Sequence, residues 1–134
     1  MSDQPVLYML QGFFFQERTL LGLDMRSIDG AVAVVRCTQL RNMFAGAIGF
    51  DGSSFDWTGT MTDVYGVSTL DRINLHGFSL TFDKTYDGRD DPIHYSFHKR
   101  DGLWVGGYNG ELVGSGYANC ILTPVPQQMF ESAE

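Results

Sequence analysis

Clustered basic residues, zinc-spaced cysteines, long apolar runs and phosphate-loop motifs are all missing from this chain of 134 residues. Each absence closes a class of function. Nine Lys and Arg stand against sixteen Asp and Glu, a net charge of −7. Binding to a nucleic-acid backbone requires a positive footprint, so no nucleic-acid partner is expected. The acids are scattered through turn-like positions, where they serve solubility. The two cysteines, Cys37 and Cys120, fit neither a C-x-x-C motif nor a zinc site. Two free, buried thiols in a reducing, cytoplasmic protein is the preferred reading. The alternative is a single bridge, if the first and last strands of a closed sheet meet. The apolar stretch 6–15 is too short to span a bilayer and lacks the basic flank of a signal peptide. No membrane association is expected.

The chain has 43% hydrophobic and only 19% charged residues, which is globular rather than disordered composition. No repeat, linker or low-complexity segment divides it, so residues 1–134 read as one domain. A chain of this length buries about two-thirds of its unfolded surface. Ten Phe, six Tyr, two Trp and sixteen Gly favour strands and turns over helices. Turn signals recur at Asp29-Gly30, Asp51-Gly52, Asp87-Gly88, Asp101-Gly102 and Asn109-Gly110. Such pairs tolerate the positive φ angles of tight hairpins. The runs between them alternate, with Phe78, Leu80 and Phe82 on one side and Ile93, Tyr95 and Phe97 sharing another. Only residues 38–47 and the tail from Gln127 suit a short helical turn. The spacing predicts an all-β domain, an antiparallel up-and-down β-barrel with at most one or two such turns.

Two-residue hairpins at Asp101-Gly102 and Asn109-Gly110 predict a register. The first sets Arg100 opposite Leu103, Phe97 opposite Gly106 and Tyr95 opposite Tyr108. The second sets Tyr108 opposite Glu111, Gly106 opposite Val113 and Trp104 opposite Ser115. One face then gathers Tyr95, Phe97, Trp104, Tyr108, Val113 and Tyr117, and this aromatic face is expected inside the barrel. The same phase leaves Ala118, Cys120 and Leu122 outside. Either a bulge near Gly114 or Gly116 reverses it, or the N-terminal segment covers that outer face.

Several motifs fail on inspection. Gly114-Ser115-Gly116 lacks the third glycine and the following helix of a dinucleotide fingerprint. Val113 and Tyr117 occupy the outer positions where a nucleophile elbow around Ser115 needs glycines. On a strand, His94 and His98 lie about 13 Å apart, too far for one metal ion to bridge. They read as solvent-facing or hydrogen-bonded, and His76 lies in another segment. Asp87, Asp90 and Asp91 lack EF-hand spacing and suit a solvated loop before Pro92. Asp63 is a lone acid whose expected role is to cap a turn, and Asp83 and Lys84 point to opposite faces of their strand. No metal, no cofactor and no catalytic residue is assigned.

The stretches GTMTDVYG (59–66), FDKTY (82–86), IHY (93–95) and WVGGY (104–108) together resemble small lipocalin-like, calycin-type β-barrel domains over the C-terminal half. That resemblance implies an up-and-down barrel that in some members holds an apolar ligand centrally. Gly12-Phe13-Phe14 stands where lipocalins carry G-x-W. The expected function is non-enzymatic binding of a small apolar ligand through Phe82, Tyr95, Phe97, Trp104 and Tyr108. The alternative is a protein–protein interaction or inhibitor module with a protein partner, using an acidic surface or a sheet edge.

Overall fold

The computed structural model describes residues 7–20, 36–51 and 56–125. They form eight strands: β1 (Leu7–Leu20), β2 (Arg36–Asp51), β3 (Asp56–Asp63), β4 (Gly66–His76), β5 (Ser79–Tyr86), β6 (Ile93–Arg100), β7 (Leu103–Gly110) and β8 (Gly114–Pro124). Each strand pairs antiparallel with the next, and β8 pairs with β1. The result is a closed up-and-down barrel, which leaves no open edge where the circuit is complete.

Among the described residues there is no helix. Residues 38–47, expected to suit a helical turn, lie within β2 and pair with β1 from Thr38–Arg18 to Ala47–Met9. The reason is visible in the side chains: Asn42, Phe44 and Ile48 are buried while Arg41, Met43 and Ala45 are exposed. A period of two completes the ladder and overrides a weak local helix preference. The tail from Gln127, the Asp29-Gly30 turn and Gly52 lie outside the described residues.

The β6–β7 hairpin has the expected register, with Asp101-Gly102 at its tip and Tyr95 opposite Tyr108. Both tip residues have positive φ, 52° and 83°, as a type I′ turn requires. The last hairpin differs from expectation. Asn109-Gly110 ends β7 rather than forming the tip, and the loop is Glu111-Leu112-Val113. Gly110 pairs with Gly114, so Tyr108 faces Gly116, Gly106 faces Ala118 and Trp104 faces Cys120. Gly114 carries a φ of 76°, the left-handed residue that closes a three-residue hairpin loop. The phase of β8 is thereby reversed. Ala118 and Cys120 turn inward, whereas Val113 and Tyr117 are exposed.

Phe78 was expected beside Leu80 and Phe82, yet it sits in the two-residue turn between β4 and β5 and is 72% exposed. Leu10, Ile48, Met61, Leu70, Phe82 and Phe97 fill the middle of the barrel and are essentially inaccessible. Beyond Phe14, β1 no longer pairs with β8, and before Phe44 β2 does not pair with β3. These two strands therefore run on together as a two-stranded ribbon past one end of the barrel.

Replacing Gly114 by alanine is expected to cost about 1–2 kcal/mol, because a Cβ disfavours the left-handed conformation. Urea unfolding measures it. The neighbouring exposed Ser115→Ala serves as the control, expected within about 0.5 kcal/mol of the parent. Equal midpoints for the two variants would refute the role of Gly114 in the loop.

Candidate functional site

The stretch LTFDKTY on β5 alternates strictly, and its inward parity is Leu80, Phe82 and Lys84. Asp83 points outward to His94, Oδ1 to Nδ1 at 2.9 Å, and to Arg72 at 3.8 Å. Lys84 is thus carried inside the barrel, where its side chain has no contact with solvent. A buried ammonium is tolerated only when paired. Its partner is Asp63, at the end of β3, whose side chain is equally buried.

Asp63 does cap its turn, accepting the Tyr65 backbone N–H on Oδ1 at 2.8 Å. Its other oxygen, Oδ2, accepts from Lys84 Nζ and from the Tyr86 hydroxyl, the latter at 2.8 Å. The ammonium also lies over three rings, 4.6 Å from the centroid of Tyr86, 4.9 Å from Phe14 and 5.4 Å from Tyr95. Such contacts favour a cation over a ring face. Burial draws the pKa of Lys84 below its ordinary value, while the hydrogen bond and charge of Asp63 oppose that shift. Burial, followed by Asp63, pushes the hydroxyls of Tyr86 and Tyr95 upward.

A run of rings surrounds this pair. Tyr86 meets Tyr65 at 6.4 Å and Tyr65 meets Phe14 at 6.3 Å. Phe14 stands edge-on to Tyr108 at 6.0 Å, and Tyr108 contacts Tyr95 at 5.6 Å. All five rings line a hollow of about 430 Å³ at the ribbon end of the barrel. Three of the four tyrosine hydroxyls are directed by the protein itself. Tyr86 donates to Asp63, and Tyr65 donates to Gln16 Oε1 at 2.6 Å. Tyr108 donates to the Phe15 carbonyl at 2.6 Å. Gly116 makes the last bond feasible, because a Cβ there would occupy the space of the Tyr108 ring. Gln16 Oε1 also accepts from Asn42 Nδ2 at 2.8 Å. At the rim, Arg89 grips Asp91 through Nε and Nη2 at 2.8 and 3.1 Å, and Asp87 completes the lining.

Of the five residues expected to hold a ligand, Tyr95 and Tyr108 line this hollow. Phe82 and Phe97 are completely buried; Phe82 stacks on Tyr95 at 5.1 Å and packs against Phe97 at 6.0 Å. Trp104 belongs to a second hollow, about 610 Å³, at the opposite end with Tyr8 and Trp57. Residues four apart on a strand, such as Trp104 and Tyr108, are separated by about 13 Å along it. The sequence reading missed Phe14, Gln16, Tyr65, Tyr86 and the Asp63–Lys84 pair. A readable signal existed for one of them, since Lys84 continues the inward parity of Leu80 and Phe82.

Other groups fall outside this site. The Asp83–His94 pair lies on the barrel exterior. Among the described residues no group of three or more His, Cys, Asp or Glu is placed to hold a metal ion. Cys120 is a free, buried thiol whose pKa burial pushes up to about 12, so it is a poor nucleophile. The side chain of Cys37 lies outside the described residues. Among the described residues, no helix is long and apolar enough to cross a membrane. No protein-family model matches the chain, and neither a curated protein nor a solved structure gives a significant match.

Replacing Lys84 by methionine leaves Asp63 buried without its cation, at an expected cost of about 3–5 kcal/mol. Adding Asp63→Asn removes the orphaned charge and is expected to restore about half of that loss. Urea unfolding of both variants tests this. A single variant within about 0.5 kcal/mol of the parent would show that the pair does not hold the barrel end together.

Proposed function

We propose that this protein binds a small, largely apolar molecule, without catalysis, in the manner of lipocalin-like barrels. The observation that carries the reading is the hollow of about 430 Å³ ringed by Phe14, Tyr65, Tyr86, Tyr95 and Tyr108. Ligand sites are concave, mostly apolar and supplied with a few placed polar groups, within about 300–1,000 Å³. Gln16 and the tyrosine hydroxyls are such groups. Phe82 and Phe97 support the floor from below, Tyr95 and Tyr108 form the wall, and Trp104 lies too far along the barrel to touch the same guest.

The neutral dye N-phenyl-1-naphthylamine is a suitable probe. It is expected to bind once per chain with Kd below about 100 µM, a modest value for a ligand of its size. Tyr65→Ala removes an exposed ring and is expected to weaken binding at least about threefold. Trp57→Phe, at the far end, leaves affinity unchanged. Absence of saturable binding refutes the reading, and sensitivity to Trp57 instead of Tyr65 moves the site to the second hollow.

A second reading, an interaction module, is favoured by the outer surface. β3 to β6 present Thr58, Thr60, Thr69, Asp71, Asp83 and His94 outward. The adjoining face over β8, β1 and β2 exposes Tyr117, Ile121, Met9 and Met43, with Phe13 half-buried among them. Contiguous apolar exposure of this kind marks association surfaces. Copies that each carry a charge of −7 approach with least repulsion through a face poor in carboxylates. A self-association through this face is expected to be lost in Met43→Glu/Ile121→Glu by sedimentation equilibrium. A parent protein that stays monomeric up to high micromolar concentration counts against it.

A further inference from the structure

Three features of the hollow point to the same sign of charge in its guest. The first is its hydroxyl groups. The hydrogens of Tyr65 and Tyr86 are already donated to Gln16 and Asp63. What these two oxygens offer a guest is lone pairs, so they accept rather than donate.

The second is the ring wall. Tyr65 and Tyr86 meet at 86° and Phe14 and Tyr108 at 89°, so the hollow is bounded by rings in crossed orientations. Rings set perpendicular to one another have faces turned in different directions, and a face that no neighbouring edge covers can receive an organic cation. The protein already uses this property: Lys84 Nζ rests on Phe14, Tyr86 and Tyr95 from below, neutralised by its contact with Asp63. Because that ammonium is matched by a carboxylate in direct contact, the floor carries no net charge.

The third is the rim, which holds two carboxylates, Asp87 and Asp91, against one guanidinium. Arg89 is occupied by the two-point bond to Asp91, which leaves Asp87 to act on an arriving ligand.

Resting on the ligand-binding reading above, we infer that the guest is a protonated organic amine, an ammonium with N–H donors on an apolar or aromatic body. The ammonium lies among the aromatic rings and the accepting hydroxyls of Tyr65 and Tyr86, within the field of Asp87 and Asp91. The apolar body packs against Tyr95, Ile93 and Val113. A carboxylate of the same size is disfavoured, since it meets acceptors and electron-rich ring faces and finds the rim cation engaged.

Isothermal titration calorimetry with three probes of similar shape tests the sign: 2-phenylethylamine, 2-phenylethanol and 3-phenylpropanoate. At pH 7 and low salt the amine is expected to bind at least about tenfold tighter than the alcohol, and the carboxylate weakest. Raising the salt should narrow the amine's advantage, because rim charges near solvent are screened. Asp87→Asn/Asp91→Asn frees Arg89 and removes both rim carboxylates. It is expected to weaken the amine about fivefold or more while strengthening the carboxylate, a reversal that a general loss of folding cannot produce. If the alcohol binds as tightly as the amine, or the carboxylate binds tightest, the charge assignment is overturned while the ligand-binding reading stands. If none of the three binds, and N-phenyl-1-naphthylamine does not bind either, both are overturned.

Discussion

An ammonium and a carboxylate buried between aromatic rings govern one end of this barrel. Removing two charges from water is unfavourable by several kcal/mol per ion, and only close pairing with further hydrogen bonds offsets that cost. Lys84 and Asp63 meet the condition through direct contact, the Tyr86 hydroxyl and the Tyr65 backbone N–H. The pair also constrains strand register. A one-residue slip of β5 would expose Lys84 and turn Asp83 inward beside Asp63, replacing an attraction with a repulsion. In the observed register Asp83 instead serves the outer surface, bound to His94. The three groups around Asp63 tie the β3–β4 turn to β5, and that tie places Tyr65 and Tyr86 beside Phe14.

The interior therefore has three zones with different physical character. The middle is packed solid by Phe82, Phe97 and their aliphatic neighbours, so it separates the two ends. The far end carries Tyr8, Trp57 and Trp104 around a hollow between turns. At the ribbon end, polar atoms that must be satisfied hold rings at angles to one another. An aliphatic core would collapse into that space, whereas hydrogen-bonded rings resist doing so. The hollow is thus a consequence of the buried pair and of the hydroxyl network above it.

Much of the architecture was legible along the chain. The alternation of Leu80 with Phe82 and of Ile93, Tyr95 and Phe97, though wrongly extended to Phe78, and the Asp101-Gly102 tip led to β5, β6 and β7 and to the pairing of Tyr95 with Tyr108. The Asn109-Gly110 tip was misleading, because a left-handed glycine four residues later also closes a hairpin. The pair dipeptide alone does not say which glycine takes that role, and the choice reverses every side chain of β8. The candidate site was legible only in part. Tyr95 and Tyr108 were identified as inward aromatics, but Trp104 was grouped with them since facing inward is not the same as facing one cavity.

What the sequence by itself determined was parity: which residues of β5, β6 and β7 point inward, and that a lysine, Lys84, is among them. Parity is local, set by the two-residue period of a strand and by the turn that begins it. Only the tertiary structure decided depth and partnership. Asp63 and Lys84 are 21 positions apart and Tyr108 reaches Phe15 across 93, so nothing in their spacing announces contact. Those meetings depend on register accumulated around eight paired strands and on the closure of β8 against β1, which no single hairpin encodes.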